Sequence, residues 1–267
     1  MSLFQALAPA VSRGTRFIRR FGFLDLFLVV FAFFLYSVVR EMAGGRVSAA
    51  ESHTLDLVQM EQALGIFQET RIQDWIMSSD TLIRFFNAVY TYGHFPLIGA
   101  LGVWLFIFHR ERYLLFRNAF FVAGAIGLLI FNLFPVAPPR LMPYPDGLVD
   151  TLSLFQKVNY HSAGAFVNPY AAMPSMHVGF NLLLSLAVAS ACSGMGQPWR
   201  FLGLAASIVM PIVMAAAVVV TGNHYILDIV AGYVVAAAGM WFALALRERG
   251  WRVSQAATAD DGATVSA

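Results

Sequence analysis

Phe201-Leu-Gly-Leu-Ala-Ala-Ser-Ile-Val-Met-Pro-Ile-Val-Met-Ala-Ala-Ala-Val-Val-Val220 contains no ionisable residue, and Thr221-Gly-Asn-His-Tyr-Ile-Leu-Asp228 follows it directly, before a second apolar run reaches Leu246. A helix needs roughly 20 consecutive apolar residues to cross a hydrocarbon core of about 30 Å. Each of these runs meets that requirement, so the chain reads as two membrane-spanning helices joined by a short polar turn that carries a histidine and an aspartate.

The rest of the chain agrees with this reading. Of its 267 residues 59% are hydrophobic and only 12% are charged, with 24 Phe, whereas a soluble domain carries about a quarter charged residues. The composition implies an all-α, polytopic integral membrane protein and excludes an ordinary soluble enzyme. With no water to satisfy a lipid-exposed backbone, runs of this length span as helices and not as a barrel. We expect six spans: about Phe21 to Val39, Leu82 to Phe108, Ala119 to Phe134, one starting near Met173, Phe201 to Val220, and Asn223 to Leu246. The one cysteine, Cys192, allows no intrachain disulfide.

Charge placement orients the bundle. Arg13, Arg16, Arg19 and Arg20 precede the first span, and basic residues at 109–117, Arg200, Arg247, Arg249 and Arg252 mark later ends. By the positive-inside rule both termini lie in the cytoplasm. The domain reading is a basic cytoplasmic terminus at 1–20, a six-helix membrane domain at 21–246 and a disordered cytoplasmic tail at 247–267. Val47-Ser-Ala-Ala50 resembles a signal-cleavage site, but the long apolar run favours an uncleaved anchor, and both readings export the next segment. Residues 51–80, with Leu55, Leu57, Val58, Leu64, Ile66 and Phe67 near a helical period, read as an amphipathic helix on the outer surface, or as a solvated loop helix. The connection 135–172 lacks an obvious helical or strand period; its Pro, Tyr and Asn content reads as an ordered cap over a site.

In this topology Arg140, His177 of Met173-Pro-Ser-Met-His177, and His224 share the outer face. Ionisable groups at membrane depth are costly and mark function by default. His224 and Asp228 are four apart, a spacing that on a helix stacks carboxylate and imidazole. The carboxylate then holds one ring nitrogen as a donor and leaves the other nucleophilic. These residues suffice for phosphoryl transfer: His224 as nucleophile, Asp228 as its orienting partner, His177 as the acid for the departing oxygen, and Arg140 as a bidentate phosphate clamp. Ser175, at a helix amino terminus, adds a hydroxyl and backbone donors for an anion. Asn223, Tyr225 and His94, the last beside Gly93 and Pro96 at an expected kink, are further candidates.

Other readings compete. Either histidine alone is an ordinary interfacial residue, Arg140 a snorkelling one and Ser175 an N-cap. His-x-x-x-Asp with His177 is a possible zinc ligand set, although a neighbouring arginine opposes a cation. A six-helix transporter would explain intramembrane ionisable groups, but it requires polar residues on both sides of the midplane, and the fourth and fifth spans are almost wholly apolar beyond their outer ends.

Residues 133–231 resemble the type 2 phosphatidic acid phosphatase superfamily, through Pro-Ser-Met-His177 and His224-Tyr-Ile-Leu-Asp228, with Pro138-Pro-Arg140 as the nearest match to its first motif. The resemblance implies a six-helix core in which His224 is the nucleophile, His177 the acid and Asp228 the orienting carboxylate. Four positions depart from the pattern: Leu133 stands at the first-motif lysine, Leu141 where a proline follows the arginine, Val218 at the third-motif arginine and Met176 at a glycine. The pattern is more similar to the inositol phosphorylceramide synthase branch, whose members move a phospho-headgroup between lipids. The implied partners are lipid substrates and membrane lipids, with no nucleic acid, no metal and no cofactor. The expected location is the plasma (inner) membrane with an outward-facing site.

Overall fold

The computed structural model describes residues 22–23, 25–35, 37–38, 46–143, 148–156 and 170–264, with side chains to residue 249 apart from residues 155 and 156. The basic amino terminus and much of the connection between Pro135 and Ala172 lie outside the described residues. Those described are all-helical, with no strand beyond an isolated parallel bridge between Val136 and Ala171. The order is α1 (Asp25–Leu35), α2 (Val47–Ala63), α3 (Glu69–Met77), α4 (Asp80–Tyr92), α5 (Phe95–Phe108), α6 (Arg110–Leu133), α7 (Thr151–Gln156), α8 (Met176–Cys192), α9 (Gln197–Val220) and α10 (Ile226–Thr264).

Three helices are long and apolar enough to cross a membrane: α6, α9 and the Ile226–Arg249 part of α10. The chain is therefore an integral membrane protein. A fourth span is made of two pieces, because α4 and α5 are bent by 50° at their junction. The physical cause is local. Gly93 closes α4 by donating to Val89 at 2.7 Å, and Pro96, with no N–H, sits in the first turn of α5, so the ladder cannot run through. The other two segments expected to span are shorter apolar helices, α1 and α8. Among the described residues, length and composition thus support three spans, or four with the bent pair, and leave the other two of the six expected unsupported by that measure.

Residues 51–80 form two helices where one was expected. Gly65, at φ 70°, turns the chain between α2 and α3. Their burial keeps part of the amphipathic pattern, with Leu57, Val58 and Ile76 buried and Asp56, Gln59, Gln62 and Arg71 exposed, but Glu61 and Glu69 are fully buried and Gln73 nearly so, while Leu64 is 62% exposed. A pattern of apolar residues is ambiguous here because the outer surface of the bundle faces lipid, so polar residues find partners inside. The connection after α6 also holds more regular structure than its composition suggested, a 3₁₀ turn at Pro139–Leu141 and the short α7. The backbone of α10 stays helical to Thr264, past the end of the apolar run.

Around the centre, α8 packs against α6, α9 and α10. Small residues set the closest crossing. A Cβ on Gly179 would meet the Gly232 carbonyl oxygen at 2.7 Å, and one on Gly232 would collide with the Ser175 carbonyl. The missing side chains let α8 and α10 touch backbone to backbone, as small residues allow between membrane helices.

Candidate active site

The turn Thr221–Tyr225 between α9 and α10 is built from its own residues. Gly222, at φ 70°, takes the left-handed conformation that glycine adopts without a steric penalty. The Thr221 hydroxyl donates to Ala217, and Asn223 Nδ2 donates to the Thr221 hydroxyl at 2.8 Å. Asn223 and His224 both donate their backbone N–H to Val218, at 3.0 and 3.2 Å. His224 is thereby set at the mouth of α10, 5% exposed.

Asp228, fully buried, accepts the Tyr225 N–H on Oδ2 at 2.9 Å, and the same oxygen lies 3.4 Å from His224 Nδ1. The four-residue spacing thus brings the two groups together although His224 stands in the turn before α10, and at this distance Nδ1 makes no hydrogen bond among the described residues. Oδ1 of Asp228 has no hydrogen-bond partner among the described residues.

His177 enters from the first turn of α8, its ring centroid 5.8 Å from that of His224. It is held between two rings: Tyr90 stacks on it at 4.5 Å with 22° between planes, and His94 lies at 4.2 Å with 35°. The α4–α5 bend delivers both, and Asn181 of α8 fastens that bend by donating to the Gly93 carbonyl at 3.2 Å. His94 thus belongs to the same cluster as the two motif histidines.

Arg140 arrives from the 3₁₀ turn. Its N–H donates to the Gly222 carbonyl at 2.9 Å, its guanidinium donates to Asn223 Oδ1, and Nε lies 3.8 Å from Asp150 Oδ2. The guanidinium is thus anchored on the residue immediately before His224. Gln73 anchors the far side of the turn by donating to Val149 at 2.9 Å and Val220 at 2.8 Å, and accepting from the Val149 N–H.

Ser175 is fully buried, and its hydroxyl does not cap α8: Oγ has no hydrogen-bond partner among the described residues. Its backbone N–H donates to the Asp228 carbonyl at 2.9 Å. The aromatic ring of Tyr225 is fully buried in an apolar cluster with Leu57, Val58, Val136 and Ala172, a packing position.

Two residues that motif reading does not reach complete the turn. Glu69 Oε1 accepts the Ile226 N–H at 2.8 Å, and Glu61 Oε1 accepts the Leu227 N–H at 2.6 Å. The available signal was two acidic residues, Glu61 and Glu69, in a segment bordered by apolar helices. Tyr90 and Asp150 were missed as well, because neither a ring stack across more than 80 positions nor an ion pair formed within an irregular connection leaves a local trace. The departures from the family pattern have structural correlates. Leu133 is 69% exposed on the outside of α6, Val218 is buried, and Met176 fills the space over Gly127.

An all-helical membrane protein in which two histidines, an aspartate and an arginine from separate elements converge at the ends of its helices is the class these observations define. The chain matches the family model described as PAP2 superfamily over residues 55–242, well over half its length, and it belongs to that superfamily. The superfamily comprises phosphatases and phosphotransferases. Neither the curated proteins nor the solved structures give a match to this chain.

Proposed function

We propose that the protein is a lipid phosphotransferase that works through a phosphohistidine and takes a phosphodiester donor, in the manner of the inositolphosphotransferases. The observation that carries this reading is the convergence of His224, Asp228 and His177 beside a guanidinium fixed on Asn223. With Asp228 on Nδ1, Nε2 of His224 attacks phosphorus. The P–O bond to the lipid alcohol breaks, and His177, as imidazolium, gives its proton to that oxygen. Arg140 holds the non-bridging oxygens, whose charge grows in the transition state. In the second half, neutral His177 takes the proton of an incoming alcohol, whose oxygen attacks phosphorus and releases His224.

Charge favours a diester. The superfamily's further cationic positions are Leu133 and Val218 here, and Asp150 already draws on Arg140. A phosphodiester brings one negative charge and a terminal phosphate about two, so a site that offers, among the described residues, the one guanidinium of Arg140 beside the histidines suits the former. Hydrolysis of a polyprenyl diphosphate or phosphatidate shares the first half-reaction and is the alternative.

In the membrane, the reading places six helical segments with the termini inside and the site outside. Arg110, Arg112 and Arg117 occupy the start of α6, while its far end leads to Arg140, an arrangement that matches the positive-inside rule.

The test is incubation of purified protein, and of His224→Ala, with headgroup-phosphate-labelled phospholipids and lipid phosphates, with and without alcohol acceptors. Labelled lipid formed only with an acceptor supports transfer; free phosphate without one favours the phosphatase. Equal turnover by His224→Ala would refute the mechanism.

A further inference from the structure

The first three N–H groups after His224 all end on carboxylates. Tyr225 donates to Asp228 Oδ2 at 2.9 Å, Ile226 to Glu69 Oε1 at 2.8 Å and Leu227 to Glu61 Oε1 at 2.6 Å. All three side chains are fully buried. Ordinary N-capping uses one side chain from the helix itself. Here two of the three come from α2 and α3, more than 150 positions away.

Three buried carboxylates around one helix end cannot all be ionised without large mutual repulsion. The second oxygens, Glu61 Oε2 and Glu69 Oε2, have no donor among the described residues, while the first oxygens accept the N–H groups of the adjacent residues Leu227 and Ile226. A proton on one of two such buried neighbours removes a charge and supplies a donor that an unpartnered carboxylate oxygen can accept. We infer that Glu61 and Glu69 share one proton and together act as positioning residues for His224, locking the turn that aims its imidazole and tying that aim to the α2–α3 segment.

Glu61 is the partner that holds the proton. Burial, above all, then the hydrogen bond from Glu69 and the charges of Glu69 and Asp228 push its carboxyl up to about 9, against a pull downward from the Leu227 N–H. The titratable groups facing it are Glu69 from α3 and Asp228 from α10, the latter in turn beside His224. Near neutral pH the pair is singly charged and held together. Above about 9 it carries two charges, the carboxylates repel, and the turn loosens. For stability the sign follows. The folded value lies above the unfolded 4.5, so the stabilisation is complete below 4.5 and lost as pH rises toward about 9.

As a role in catalysis this rests on the phosphohistidine reading; the shared proton itself does not. The experiment measures kcat and KM against pH, and thermal unfolding against pH, for the wild type, Glu61→Gln and Glu61→Ala in the same lipid nanodiscs. Glutamine supplies a permanent donor to Glu69 and an oxygen for Leu227. Glu61→Gln should therefore keep turnover at neutral pH and lose the alkaline fall in kcat near 9. Glu61→Ala should lower kcat by about 100-fold with KM little changed, the size of effect expected of a nucleophile misplaced by about 1 Å. Wild-type kcat in folded Glu61→Ala, or the same alkaline limb in Glu61→Gln, would overturn the positioning role. If no donor is turned over, it is the functional reading that fails, and unfolding still decides the pair. A decline in unfolding temperature between about pH 4.5 and 9 that is absent from Glu61→Gln supports the shared proton, and identical curves overturn it.

Discussion

The Ser175 N–H donates to the Asp228 carbonyl at 2.9 Å, so the turn that begins the helix of His177 is bonded directly to the helix that orients His224. The bond forms because Gly232, one turn along α10, offers no side chain to keep Ser175 away. The relative position of the two histidines is therefore set by a backbone contact between α8 and α10, which loop motion cannot easily disturb.

Gly232→Ala should separate these helices. Its Cβ meets backbone atoms of Ser175, which cannot rotate aside as a side-chain tip could. Overpacking of this kind costs about 1–3 kcal/mol. A lowered unfolding temperature together with reduced kcat is expected, and wild-type values for both would show that the crossing tolerates a methyl group.

Removal of the proposed nucleophile in His224→Ala should leave no turnover, and Asp228→Asn should lower kcat by about 10²–10⁴-fold, the range of positioned acid–base groups. Acid-labile label on the protein, chased with donor, gives the check: it should be absent from the first variant and slow to form in the second.

The sandwich of His177 between Tyr90 and His94 predicts a separation of ring from hydroxyl. Tyr90→Phe keeps the stack and should retain kcat, while Tyr90→Ala and His94→Ala free the imidazole and should lower kcat by about tenfold or more through lost orientation. Steady-state kinetics on one donor compares all three.

Arg140→Ala should reduce kcat/KM by about 10²–10³-fold, as loss of one oxyanion donor does. Asn223→Ala releases the guanidinium without removing it and should fall between that variant and the wild type. Comparison of wild-type kcat/KM for donors of one and two phosphate charges checks the charge argument, which expects the singly charged diester to be preferred.

The sequence by itself determined the solvent and the central dyad. Long uncharged runs specify membrane helices because lipid offers no partner for a bare backbone. His224 and Asp228, four apart, come within 3.4 Å of each other as their spacing suggested, although His224 stands in the turn just before α10. Pro96 beside Gly93 also announced the bend, although not that it would split a span by 50°. The rest depended on tertiary structure. The buried carboxyls of Glu61 and Glu69, the Tyr90–His177–His94 stack and the ties of Arg140 to Asn223 and Asp150 join elements far apart in sequence. Such contacts follow from which faces the helices turn toward one another, and periodicity misleads there, since a lipid-facing surface and a protein core are both apolar. Glu61 and Glu69 are the clearest case: these two carboxyls point inward because the partners that satisfy them, the free N–H groups of α10, exist only once the chain has folded.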